Sequence, residues 1–174
     1  MSLYLKLAEC VVINRVYDAR RLICRCRLTT WKGDYSSSDF YNSECMMRSE
    51  DPENKAQILR IRSRNHFIRG DYAEALRDTI NGLHLLGVQV NPSPTRREAD
   101  AMFEDVKNEI LAVGFNEILA IPRARDARTD LAIALLNDAG ANAYWSSGEG
   151  FADVIGLTVR TFLSVAALVP HNTV

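Results

Sequence analysis

Cysteine is scarce in this sequence, and the few cysteines do not form a recognisable set of metal ligands. Four cysteines occur in 174 residues: Cys10, Cys24, Cys26 and Cys45. Cys24 and Cys26 are separated by one arginine, whereas paired zinc ligands are spaced by about two to four residues. All three histidines follow the last cysteine in the chain: His66, His84 and His171. We therefore expect free, partly buried thiols, no metal site and no cofactor.

A long hydrophobic run is also missing. The longest uninterrupted apolar run, Leu131 to Leu136, has six residues, far fewer than the roughly 18 that a membrane-spanning helix requires. The N-terminal MSLYLKLAEC reaches a lysine after five residues and does not build the apolar core of a signal peptide. We therefore expect no membrane insertion and a cytoplasmic, reducing location.

An excess of charge of one sign is missing too. The 21 Lys and Arg residues nearly balance the 22 Asp and Glu residues, which leaves a net charge of −1. This balance argues against a dedicated nucleic-acid binder and against a basic membrane-surface protein. The densest basic run contains Arg60, Arg62, Arg64 and Arg69. Because Phe67 is the only aromatic ring of a Phe, Tyr or Trp among these arginines, whereas single-strand binding would require aromatic residues interleaved along the run, we interpret the run as a solvated face or a docking surface for an acidic partner.

Motifs for phosphate chemistry are absent as well. The sequence contains no GxxxxGK(S/T) phosphate loop, the loop that cradles nucleotide phosphates. A phosphoacceptor histidine is followed by an acidic residue and soon afterwards by Thr-Pro, whereas Phe67 and Ile68 follow His66. We predict packing or surface roles for His66 and His84. The chain by itself is therefore not expected to be an enzyme. An enzyme whose site is hidden from the sequence is the third alternative, after a coupling segment and a peptide-binding adaptor.

Helical signals dominate the rest of the sequence. Apolar residues recur at three- and four-residue spacing between polar caps and glycine stops. The signal is strongest where Thr95 is followed three residues later by Glu98, which is a capping box. The pattern predicts helices over residues 52–69, 72–86, 95–114, 126–145 and 151–169, and hence an all-α fold.

The first 50 residues carry weaker signals. Leu3–Ile13 and Tyr17–Leu28 can each form a helix, but Thr29–Glu50 is rich in Ser, Asp and Asn. These side chains compete for the backbone hydrogen bonds of a helix, so we expect this stretch to be irregular. We divide the chain into a partly irregular N-terminal region, residues 1–50, and a helical segment, residues 51–174.

A short motif is repeated. The sequence Arg-Gly-Asp-Tyr at 69–72 is echoed by Lys-Gly-Asp-Tyr at 32–35, at a spacing of 37 residues, close to the about 34 residues of a tetratricopeptide repeat. Small residues follow the motif on one face, Ala75 and Gly82 in the second copy and Ser38 and Cys45 in the first. We predict stacked antiparallel helix pairs forming a tetratricopeptide-like solenoid. The structural positions of the repeat are Gly70, Asp71, Tyr72, Ala75 and Gly82.

Longer strings carry a more specific resemblance. They are LYLKLAEC, NKAQILRIRSRNHFIRGDYAEALRDTINGLHLLGVQV, GFNEILAIP and an Ala-rich helix ending in AYW. Together they resemble the helical region downstream of the ATPase module in large multi-sensor hybrid histidine kinases of fungi and cyanobacteria. The resemblance covers Lys55–Leu163 and Tyr4–Cys10. It fails between Val11 and Glu50.

The resemblance implies a non-catalytic interaction and coupling segment of a signal-transduction protein in a two-component system. Its partners would be other proteins or neighbouring domains of a longer chain, with no nucleic acid. The alternative is a free-standing tetratricopeptide-type adaptor that binds a peptide in its concave groove. The predicted last helix is apolar on most of its circumference, so we expect an interior slice of a longer stack, with an apolar strip left uncovered.

Overall fold

A computed structural model of the chain describes residues 21–91, 93–114, 116, 126–146 and 151–167. These residues form helices and no strand, which confirms the predicted all-α class. The helices are α1 (residues 21–31), α2 (Tyr35–Arg48), α3 (Pro52–Arg69), α4 (Tyr72–Leu85), α5 (Arg96–Val113), α6 (Ala127–Ser146) and α7 (Phe151–Ala167). In the described ranges, no helix is long and apolar enough to cross a bilayer.

The predicted helix limits from residue 52 to residue 151 agree with the structure within one residue, and the predicted end of the last helix at residue 169 lies outside the described residues. The backbone N–H of Gly70 closes α3, and Gly70 has a φ of 85°, in the left-handed region that favours glycine. The capping box at the start of α5 is present in both directions between Thr95 and Glu98. Asp126 accepts hydrogen bonds from the backbone N–H of Thr129 and from its hydroxyl, at 3.0 and 2.8 Å, at the start of α6.

Some predictions fall where the structure gives no description. The helix expected over Leu3–Ile13 lies outside the described residues, as do Cys10 and His171. Most of the GFNEILAIP segment lies outside them as well. The helix expected over Tyr17–Leu28 coincides with α1 from residue 21 onwards.

The irregular conformation expected for Thr29–Glu50 is wrong, because α1 continues to residue 31 and α2 occupies most of the remainder. The Asp34 carboxylate accepts a hydrogen bond of 3.1 Å from the backbone N–H of Ser37 and so caps α2. Ser38, Asn42 and Cys45, at helical spacing, form the buried side of α2. This side packs on α3, so the helix is stabilised by tertiary contacts that an apolar periodicity cannot reveal.

The helices pack mainly against a few neighbours. The two-residue connection between α3 and α4 makes them an antiparallel hairpin, and α4 in turn packs against α6, which packs against α7. Helix α2 packs against α3, and α5 lies against α7. The predicted stacking of helix pairs is confirmed, whereas the solenoid stays a prediction. The main core contains Ala56, Leu76, Ile80, Leu83, Leu86, Val90, Ala132, Leu135, Leu136, Ala139, Ala143 and Val154.

Replacing Gly82 by leucine is expected to lower the free energy of unfolding by about 1–3 kcal/mol, because it overpacks this core. A Cβ atom at Gly82 would lie 3.2 and 3.3 Å from the methyl carbons of Leu135 and 3.5 Å from the carbonyl oxygen of Ala56. Urea denaturation followed by circular dichroism measures the loss. Asn81→Leu, which adds the same side chain at the exposed preceding position, is the control, and equal stabilities of the two variants would contradict the packing argument.

Candidate functional site

The two copies of the Gly-Asp-Tyr motif form equivalent turns between helices. Gly33 separates α1 from α2 with a φ of 75°, and Gly70 separates α3 from α4 with a φ of 85°. The Asp71 carboxylate makes an ion pair with Arg69 at 3.5 Å and lies 3.7 Å from Nδ1 of His66. Tyr72 stacks on Trp145 of α6, with ring centroids 5.9 Å apart. These motif residues therefore orient helices.

Ala75 lies beside a buried polar network that joins three helices. Its carbonyl oxygen accepts hydrogen bonds from the hydroxyls of Ser63 in α3 and Thr79 in α4, at 2.8 and 2.7 Å. The side-chain amide of Asn142 in α6 donates to both hydroxyl oxygens, at 3.0 and 2.8 Å. Because buried polar groups are costly unless they are paired, this network fixes how the helices meet. Its role is structural.

The arginine run of α3 is mostly neutralised by neighbouring helices. The Arg62 guanidinium donates to Asp78 of α4 at 2.6 and 2.5 Å, and these hydrogen bonds to the carboxylate raise the pKa of Arg62. His66 is half-buried, with Nε2 at 3.7 Å from Asp78. His84 is exposed. These positions agree with the packing and surface roles predicted for both histidines.

The described cysteines are reduced thiols. Cys24 is exposed, whereas Cys26 of α1 and Cys45 of α2 are buried with their Sγ atoms 4.0 Å apart. The hydrogen bond with Cys45, together with burial, raises the pKa of the Cys26 thiol. A protonated, buried thiol is a poor nucleophile. In the part of the chain that the structure describes, no three His, Cys, Asp or Glu side chains lie close enough to hold a metal ion.

The most prominent candidate site is an apolar groove between α5 and α7, with a volume of about 510 Å³. Its lining consists of Phe103, Val106, Lys107, Ile110, Leu111, Phe151, Ile155, Gly156 and Val159. We call it the α5–α7 groove. Apart from Lys107 and the glycine backbone, every lining residue is an apolar side chain, so the groove is suited to hydrophobic contact.

Two contacts hold the walls of the groove together. At Gly156 the helices come so close that a Cβ atom would lie 2.6 Å from Cγ of Met102 in α5. At the other contact, the Arg160 guanidinium of α7 donates to Glu109 of α5 at 3.0 Å and lies 3.6 Å from Asp105. The absence of a side chain at Gly156 therefore sets the spacing of the helices, and the ion pairs fix their orientation.

The groove leaves large apolar side chains in contact with solvent. Phe103 and Leu111 of α5 are each 62% exposed, although both belong to the apolar residues that recur at helical spacing along α5. On α7, Phe151 and Ile155 are partly exposed, whereas Val154 is buried. The uncovered strip expected on the last helix is therefore present in part, and α5 contributes the larger exposed residues. Sequence reasoning missed this contribution because it did not pair α5 with α7.

Comparison with protein-family models, with curated proteins and with solved structures finds no match to this chain. Function must therefore be argued from the site itself.

Proposed function

We propose that this chain is a non-catalytic interaction segment whose α5–α7 groove binds a helix of a partner protein or of a neighbouring domain. The observation that supports the proposal is the groove, with Phe103 and Leu111 exposed beside it. Exposed apolar side chains that line a concave surface are typical of protein interaction sites.

The shape and the charge of the groove favour an amphipathic helix as its occupant. From Phe103 to Leu111, α5 rises by roughly 12 Å, which matches two turns of a docked helix with anchors at i, i+3 or i+4, and i+7. The Lys107 ammonium already donates to Glu104 at 2.9 Å. Acidic residues outnumber basic ones on α5 by five to three. We therefore propose an occupant with an apolar face and basic flanks.

The wider role proposed for this segment rests on the resemblance to hybrid histidine kinases. In such a protein, the segment would transmit the state of a nucleotide-binding module to sensor and kinase modules in the cytoplasm. A groove that binds a helix only in one state of the neighbouring module would serve this coupling. Recognition of a helix requires no cofactor and no nucleic acid.

A tetratricopeptide-type adaptor is the second candidate, and one observation favours it. The turns at Gly33 and Gly70 have the same left-handed backbone and each joins two helices. Consecutive hairpins of similar length are the building unit of that repeat class. An adaptor would bind an extended peptide, whereas the proposed segment binds a helix.

A designed peptide tests the proposal. We expect a 14-residue helical peptide with leucine at positions i, i+3, i+4 and i+7, and with lysine and alanine elsewhere, to bind the chain. Phe103→Asp should weaken this binding at least about tenfold, because it places a charge where an apolar anchor docks. Isothermal titration calorimetry measures both affinities.

Two controls make the result interpretable. Ile68→Asp alters a similarly exposed apolar residue, 58% exposed on α3 and outside the groove, and should leave the affinity unchanged. A scrambled peptide of the same composition should not bind. Equal losses from Phe103→Asp and Ile68→Asp would refute docking in the groove, and tighter binding of an extended proline-containing peptide would favour the adaptor.

A further inference from the structure

A second concave surface lies between α1 and α3, and its lining differs from that of the α5–α7 groove. It has a volume of about 360 Å³. The lining residues are Arg27, Thr30, Trp31, Gln57, Arg60, Ile61 and Arg64. We call it the arginine pocket. Two helices from different hairpins bring three guanidinium groups and one indole ring to this single pocket.

The charges of the pocket are only partly compensated. Arg60 Nε lies 2.7 Å from Asp138 Oδ2, and Arg64 shares the same carboxylate with two contacts of 3.1 Å. Within the described residues, Arg27 makes no ion pair, and the lining includes no carboxylate. Three guanidinium charges against the single Asp138 carboxylate leave two positive charges uncompensated.

Asp138 also orients the arginines for a ligand. By engaging Nε of both Arg60 and Arg64, its carboxylate restrains each guanidinium. Both terminal nitrogens of Arg60 and the Nη1 atom of Arg64 then have no hydrogen-bond partner among the described residues. Restrained guanidinium groups lose less conformational entropy when they bind an oxyanion. The pocket therefore has donors already positioned for a planar or tetrahedral anion.

Trp31 adds an exposed aromatic surface to this pocket. Its side chain is 91% exposed, the highest exposure among the exposed large hydrophobic residues of the described chain. An indole ring in this position offers a flat apolar contact beside the arginines. The preceding residue, Thr30, also lines the pocket, but its hydroxyl already donates a hydrogen bond of 2.8 Å to the Cys26 carbonyl oxygen. Trp31 is thus the apolar contact of the pocket, and the arginines are its polar contacts.

We propose that the arginine pocket binds a phosphorylated side chain of a partner peptide. A phosphate monoester carries about −1.5 to −2 charge at neutral pH and three acceptor oxygens, which matches the two uncompensated charges, whereas a carboxylate matches one. A mononucleotide fits less well, because Trp31 can stack on only one face of a base and Gln57 is the only amide side chain in the lining. The peptide backbone on either side of the phosphate would cross the indole ring.

The two tryptophans of the chain allow a direct test. A short glycine peptide with one phosphoserine is titrated into the ¹⁵N-labelled protein, and Trp31→Phe assigns the two indole N–H signals. We expect the Trp31 signal to shift with a midpoint below about 1 mM, while the signal of Trp145, which stacks on Tyr72, stays in place. Arg27→Gln should weaken binding at least about tenfold, because a charge-assisted hydrogen bond is lost. Arg97→Gln, on the exposed start of α5, should not.

Titrations with other ligands distinguish a phosphorylated peptide from other anions. The same peptide with unmodified serine, or with glutamate, should bind at least about tenfold more weakly. No shift of the Trp31 signal with the phosphopeptide would overturn the site. Adenosine monophosphate or inorganic phosphate binding as tightly as the phosphopeptide would overturn the assignment to a peptide. The arginine pocket lies between α1 and α3 and shares no lining residue with the α5–α7 groove. A negative result for the pocket would therefore leave the proposed helix docking intact.

Discussion

Replacing Arg62 by methionine is expected to lower the free energy of unfolding by about 3 kcal/mol, because it leaves the Asp78 carboxylate buried without its partner. The side chain of Asp78 is 3% exposed, and the Arg62 guanidinium bonds both of its carboxylate oxygens across the α3–α4 hairpin. The expected loss lies at the lower end of the range for broken buried pairs, since Arg62 itself is one third exposed. Urea denaturation at neutral pH measures it.

A second pair of variants isolates the cause of this loss. Adding Asp78→Asn to Arg62→Met removes the unpaired charge and should restore part of the stability, so the double variant should be more stable than Arg62→Met alone. Arg64→Met, which removes a more exposed arginine of the same helix, should cost less than about 1 kcal/mol. If Arg64→Met were as destabilising as Arg62→Met, the loss would come from helix packing and not from the buried carboxylate.

Replacing Leu135 by alanine is expected to cost about 3–4 kcal/mol, because it opens a cavity at the junction of three helices. Leu135 is fully buried in α6, and its methyl carbons lie against Gly82 of α4. Thermal or urea denaturation followed by circular dichroism reports the loss. Leu28→Ala on α1, which removes an exposed leucine, provides the matched control and should change stability by less than about 0.5 kcal/mol.

The same junction predicts non-additivity. Gly82→Leu overpacks the wild-type contact, but in the Leu135→Ala background the new leucine can occupy the vacated volume. The double variant should therefore be more stable than the sum of the two single losses implies, by at least about 1 kcal/mol. Strict additivity would mean that the two positions do not share this space.

The helix limits could be predicted from sequence because their signals are local. The glycine at position 70, the capping box at Thr95 and Glu98, and the cap at Asp126 each act within one turn of helix. Helix α2 could not be predicted in this way, since its buried side is made of small polar and thiol groups, such as Ser38. The Ser38 hydroxyl accepts a hydrogen bond of 2.8 Å from Asn65 of α3, and the Cys45 thiol lies 4.0 Å from Cys26 of α1, so these contacts are made with other helices.

The candidate surfaces were hidden for a different reason. The spacing of apolar residues in α5 identifies the side of the helix that is expected to be buried. Whether Phe103 on that side is in fact buried depends on how α5 packs against α7, and in the structure Phe103 stays exposed. The arginine pocket joins Trp31 of α1 to arginines about 30 residues later in the chain, so the scarcity of aromatic residues within the arginine run was not informative. The spacing of residues along the sequence describes one helix at a time, whereas each of the two surfaces is built from two helices.

The sparse anchoring of α5 affects how this region exchanges with solvent. Val106 is the only buried residue of the 18 in α5, whereas α4 buries seven of its 14 residues. Helices with so few buried contacts open locally at a lower free energy than the rest of a domain, and their amide hydrogens exchange sooner. A helix bound in the groove would therefore stabilise α5 by mass action, so that occupancy would be reported as slower hydrogen exchange along α5. Binding of a partner helix in the groove would thus increase the local order of α5.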